Sequence, residues 1–339
     1  VQKLKRHRGT LYAATTRGLY RQVSRSPQGG VGTRFTRVPG TPRNSHWSIL
    51  STGEELLATA NDRVYAISDR GIQSIYGDLA FTLQHSKVDP NRVFVGLKNG
   101  LVSLYRGPDG WEKEAQIEGV TEEVRSMAQD SSGVMWLGTR YQGAIRVDFS
   151  DGFSPRPPVR QWGSGEGLPA GPVLVSGMSG RILFSTRQGA YRARGVKQDS
   201  VVFAPDEDLA PLFRRASRPL RLVRAGHDGN AWMVFEEVLE MYGRNANGAY
   251  SDRPRRHLML PDTKILEAHI EDRYIWLSTK DGLFRYNPAL DSLMRPPRRA
   301  LVRKITVNDD SLVFGGTHRQ SRDGRPEAAN RTLRNRPPR

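Results

Sequence analysis

Short apolar runs recur along the chain. Each is followed by a polar turn of two or three residues closing on glycine, then by a second run in which apolar and polar residues alternate. That pattern predicts a β-hairpin, because strand side chains alternate between two faces and a tight turn needs a residue that tolerates positive φ. The clearest copy spans residues 130–146 and carries Trp136, Thr139, Gly143 and Arg146 in that order. A second copy, at residues 271–285, repeats the series as Trp276, Thr279, Gly282 and Arg285. Partial copies carry Thr15 with Gly18, Gly96 with Gly100, and Thr186 with Gly189; weaker ones lie around Asp62 and Trp232.

Gly100, Gly143 and Gly189 recur at forty-odd-residue intervals, and the gaps from Gly18 to Gly100 and from Gly189 to Gly282 each leave room for two such units. Seven units result. They lack a 3.6-residue period, which excludes helical repeats, and their spacing is that of propeller blades. The expected fold class is therefore all-β, a β-propeller of seven four-stranded blades over residues 1–298. The aromatic at Trp136, Trp232 and Trp276 is expected to fill the wedge between neighbouring twisted sheets. The threonine before each turn is read as a strand-end residue. Apolar strands upstream of the hairpins, at residues 124–128, 172–176 and 265–269, are expected to line the central channel. Blade one begins at Gly9 without such a strand, and the alternating residues 301–307 are expected to supply it and close the ring.

These motifs resemble the two-component regulator propeller repeat, whose pattern is an Asp, a Gly, an apolar-Trp-apolar-Gly-Thr run and a Gly-apolar-apolar-Arg closing. Residues 130–146 match nearly every position and residues 279–285 almost as well. Gly18, Gly100 and Gly189 mark partial matches, while the units around Asp62 and Trp232 lose the Gly or the Thr. The resemblance covers residues 9–290 or so. It implies the extracytoplasmic, periplasmic sensor region of a bacterial membrane histidine kinase, hybrid two-component protein or diguanylate cyclase. It further implies a three-tyrosine immunoglobulin-like domain and signalling domains on the C-terminal side, and a homodimer through the parent receptor. Residues 301–315 look like the lead-in to that three-tyrosine domain, which is the rival reading of residues 299–316.

Composition adds limits. The 339 residues carry a formal net charge of +17 and no cysteine, which excludes disulfides, thiol nucleophiles and Cys-ligated metals. No run of about eighteen apolar residues occurs, and the first residue is Val1, so the chain is expected to be a piece of a longer protein. Positive charge is densest in residues 317–339, expected to be a disordered basic tail. No nucleic-acid-binding motif accompanies the basic stretches, which argues against that partner.

Catalytic signals are weak. The histidines show no metal spacing, His227 and His269 are read as structural, and Asp130 and Asp228 as turn-makers. The neighbours Glu122–Glu123 and Glu236–Glu237 would point to opposite faces of a strand rather than form a carboxylate pair. Ser164, in Gly163-Ser-Gly-Glu-Gly167, lacks both the nucleophile-elbow context and the Lys of a phosphate loop, so it is read as part of a blade-to-blade loop. No catalytic residue, metal or cofactor is nominated. The hairpin turns, however, carry Arg17, Lys98, Arg140, Arg187 and Lys280, a ring of bases broken by Asn61-Asp62 and Glu236-Glu237, with Tyr141 available for stacking. Such a rim favours an anionic partner, an acidic saccharide for example. The expected function is a ligand-sensing propeller; the alternatives are a protein-interaction scaffold and a carbohydrate-active propeller enzyme.

Overall fold

In the computed structural model each repeat hairpin forms the second and third strands of an antiparallel sheet. The structure describes residues 1–23, 34–178, 180–197, 200–215, 220–226, 229–260, 262–271, 273–290, 304–307 and 311–315. Seven such sheets are the blades; six have four strands, and the seventh has three among the described residues. Their innermost strands are Lys3–His7, Ile49–Thr52, Ala80–His85, Val124–Gln129, Leu174–Met178, Leu220–Ala225 and Ile265–Ile270. Successive inner strands touch, and the seventh touches the first, so residues 1–288 close into a ring.

Blade one corrects the sequence reading. Its inner strand is Lys3–His7, paired with Thr10–Thr15. The two join through Arg8 and Gly9, whose φ angles of 45° and 78° make the two-residue mirror-image turn that matches strand twist. The inner place is thus filled without residues 301–307. In the second unit, Lys304–Val307 pairs with Ser311–Gly315 as a hairpin. The basic tail at 317–339 and the His227-Asp228 turn lie outside the described residues.

The wedge residues sit as the pattern predicts. Trp136 is 4% exposed and packs on Phe184 and Phe203 of the next blade. Trp232 joins Ile265, Ala268 and Leu277 of blade seven. Trp276 joins Leu4, Leu11 and Ala13 of blade one.

The turn residues act more specifically than strand propensity suggests. The hydroxyls of Thr15, Thr139, Thr186 and Thr279 each donate to the carbonyl of the turn glycine and accept a backbone N–H from within the turn. Gly18, Gly100, Gly143 and Gly189 have positive φ, as a tight turn requires. Gly282 does not, and a side chain there would meet open space, so the expected conformational need is absent at that position.

The junction of blade seven with blade one joins the two ends of the residue 1–288 unit, and side chains hold it. Ser278 Oγ donates to the Val1 carbonyl at 2.8 Å, and Arg6 grips both carboxylate oxygens of Glu271 at 2.8 and 2.9 Å. Burial alone would raise the Glu271 carboxyl, but hydrogen bonds from His269, Trp276 and Arg6 hold it down at about 2. A folded value below the unfolded one means stabilisation that is complete above about pH 4.5 and lost as pH falls towards 2. Glu271→Gln is therefore expected to lower stability at neutral pH and to flatten its decline between about pH 5 and 3 by about 2 kcal/mol. Denaturant melts of both proteins across that range check it; parallel pH profiles would refute it.

Candidate functional site

All five bases of the predicted rim, Arg17, Lys98, Arg140, Arg187 and Lys280, are exposed in turns between the second and third strands of their blades. Because every blade has the same strand order around a closed ring, those turns share one face. Only Arg140 and Tyr141 are brought into contact with each other, the guanidinium 5.0 Å from the ring centroid and the ring 69% exposed. Arg140 also lies 3.7 Å from Glu123, so part of its charge is offset.

The acidic pairs are not on strands. Glu236 and Glu237 form the blade-six turn, with Glu236 at φ 29° and paired to Lys264 at 3.1 Å, and Glu122 and Glu123 lie in the loop entering blade four. Ser164 opens a short 3-10 turn between blades four and five. Among the described residues, no group of three His, Asp or Glu side chains is placed to hold a metal ion.

The inner strands line the central channel as the sequence reading expected, but they bring to it charged side chains that the reading, which took these strands as apolar, missed. A cavity of about 580 Å³ is lined by all seven inner strands. The register sets its tiers. In blades three, four, six and seven the inner strand carries an irregularity near its first residue, and the extra residues there, Phe81, Arg125, Arg221 and Leu266, line the cavity. This end lies beside the Thr-Gly turns, on the face that carries the rim. At the next tier Lys3 lies opposite Ala14, Thr82 opposite Gly96, Ser126 opposite Gly138 and Glu267 opposite Ser278. Two residues further in, Lys5 lies opposite Tyr12, Gln84 opposite Phe94 and Arg224 opposite Trp232.

Arg125 stacks at 3.6 Å on Phe81 and 5.5 Å from Trp47, and it pairs with Glu123. Glu267 takes Arg224 at 3.0 Å and Lys3 at 3.9 Å. Burial opposes ionisation of Glu267, but Arg224 and Lys3 outweigh it and leave the carboxyl below its usual range. Glu267 pulls the Lys3 ammonium up, while burial and the charges of Arg224 and Lys5 pull it down further, leaving it below the ordinary lysine value. Burial likewise lowers Arg221, whose Nε donates to the Leu266 carbonyl at 3.3 Å. Alternation in Lys3-Leu4-Lys5 sends both lysines to one side of an inner strand and could have found them, whereas Arg221 and Arg224, three residues apart, reach the cavity together only through the register irregularity at Arg221.

Comparison with known proteins fits this geometry. Residues 119–141 match the family model described as two-component regulator propeller. No curated protein matches the chain. Among solved structures, the extracellular domain of a hybrid two-component system, BT3049 from B. thetaiotaomicron, has 17% identity and a TM-score of 0.62, covering 88% of this chain and 40% of that one. Virginiamycin B lyase from Staphylococcus aureus has 11% identity and a TM-score of 0.56, covering 82% and 90%. PorZ, a bacterial surface component of the type-IX secretion system of Porphyromonas gingivalis, has 15% identity and a TM-score of 0.53, covering 82% and 45%. At these identities the likeness establishes the propeller fold.

Proposed function

This chain is a propeller that carries the two-component regulator repeat, and we propose that it is the ligand-sensing propeller of a bacterial two-component or related signalling protein, without catalysis of its own. The observation that carries the reading is the repeat match at residues 119–141 within a closed ring whose axial cavity is built by all seven inner strands. The cavity lining supports a binding role over a hydrolytic one: among the described residues that line it, Glu267 is the one carboxylate and there is no histidine, so the lining itself offers no acid–base pair.

In this reading the propeller lies outside the cytoplasm, as does the two-component neighbour's extracellular domain. Three-tyrosine and signalling domains follow it, and dimerisation of the parent receptor carries the output. The signal is an anionic ligand, an acidic saccharide for instance, met at the turn face by Arg17, Lys98, Arg140, Arg187 and Lys280 with Tyr141 as a stacking surface. Replacing Arg140, Arg187 and Lys280 together by Ser should weaken binding of acidic oligosaccharides about tenfold, with the parent's affinity falling as salt rises and neutral oligosaccharides indifferent to both changes. Titration of a panel at two ionic strengths checks this. Equal, salt-insensitive binding by the triple variant would remove the rim from the site.

A further inference from the structure

The five cations of the axial cavity are only partly neutralised. Glu123 serves Arg125, and Glu267 is divided between Lys3 and Arg224. Among the described residues, Lys5 and Arg221 have no carboxylate within ion-pair distance; Arg221 spends one N–H on a backbone carbonyl. Lys3 and Lys5 stand on blade one and Arg221 and Arg224 on blade six, with Glu267 of blade seven between them. Like charges confined against a protein wall repel more strongly than in open water, and here nothing in the wall offsets them all.

We propose that the cavity binds a small molecule bearing two or more oxyanion groups, held by Lys5 from blade one and by Arg221 and Arg224 from blade six. The guanidinium forks suit paired oxyanion contacts, and Lys5 supplies a compact point charge opposite them. A volume of about 580 Å³ is that of a small-molecule site. Phe81 and Trp47, already stacked with Arg125, give the body of the ligand an apolar wall. Glu267 is the built-in counter-anion with which the ligand competes. The cations lie on both sides of the junction where the two ends of the ring meet, so an occupant ties blade one to blade six over blade seven and stabilises closure. This deepens the sensing reading, on whose axial cavity it rests, and goes beyond the rim site proposed there on the turn face.

The test is calorimetric titration of the purified chain with citrate and with pyrophosphate, maltose serving as the neutral control, at low and at physiological ionic strength. One equivalent of anion is expected to bind, more weakly as salt rises, and to slow hydrogen exchange in Lys3–His7 and Leu220–Ala225. Binding of citrate alone assigns a polycarboxylate, and binding of pyrophosphate alone a phosphate ligand. Lys5→Gln with Arg221→Gln, which removes two unpaired cations and should fold as the parent does, is expected to weaken binding about tenfold or more. Glu267→Gln is expected to tighten it. The Arg140, Arg187 and Lys280 triple variant should bind these probes as the parent does, which separates this proposal from the rim reading. No binding of either anion at low salt, or unchanged affinity in the Lys5 and Arg221 double variant, would overturn it.

Discussion

Replacing Trp136 by alanine is expected to lower the unfolding free energy by about 3–5 kcal/mol, the range for removing a large aromatic from a packed core. The indole lies 5.5 Å from Trp162, 5.0 Å from Phe184 and 5.9 Å from Phe203, between two sheets that diverge as they twist. A methyl group cannot span that gap, and strands tied by two ladders cannot collapse into it. Trp276→Ala is expected to cost a similar amount and to act at the junction of blades seven and one. There the ring meets Phe35 edge-on at 6.1 Å, and the indole N–H donates to Glu271 at 3.0 Å. Both side chains are almost wholly buried, at 4% and 3% exposure, which leaves no face for a ligand to stack on. Urea melts with an unchanged slope would report the loss as stability alone. A variant with full stability that had lost a ligand would refute the structural assignment.

The second large effect is expected at Gly138, whose substitution by alanine should cost about 3 kcal/mol through overpacking. Its φ is unremarkable, so the requirement is spatial. A Cβ there would stand 2.4 Å from the Val173 carbonyl oxygen and 3.0 Å from the Val175 nitrogen, both backbone atoms of the segment leading into the inner strand of blade five. Backbone held in a ladder has little room to shift. Gly96 is crowded by side chains instead, Thr82 of its own blade at 2.6 Å and Val124 of blade four at 2.8 Å. The same place in the repeat is taken by Ala14, Ala58, Ser185 and Ser278, all small, and by Val234 in blade six. Gly282→Ala provides the contrast: with ordinary φ and open space it should change stability by less than about 0.5 kcal/mol. Thermal melts of the two variants together decide the point. Equal losses would show that blade-to-blade approach does not set Gly138 apart.

Hairpin periodicity was sufficient to read blades two to seven, the inter-blade tryptophans and the common face of the turns, because each depends on order within a single repeat. Local order also carried the Thr-Gly turns, although their hydroxyl bonds became visible only with coordinates. Blade one's inner strand was missed since Lys3-Leu4-Lys5-Arg6-His7 reads as a charged surface segment until Arg8-Gly9 is seen as a hairpin turn. What the chain by itself determined was therefore the blade: its strands, its turn chemistry and the side chains that face the next sheet. Closure of the ring decided the rest. Lys3, Lys5, Arg125, Arg221, Arg224 and Glu267 come from blades one, four, six and seven and share a cavity only because seven sheets complete a circle. Gly138 is constrained by a neighbour more than thirty residues away. A repeat sequence specifies each unit's contact with the next, whereas the axis belongs to no single unit, and its charge is the sum of positions that nothing local relates.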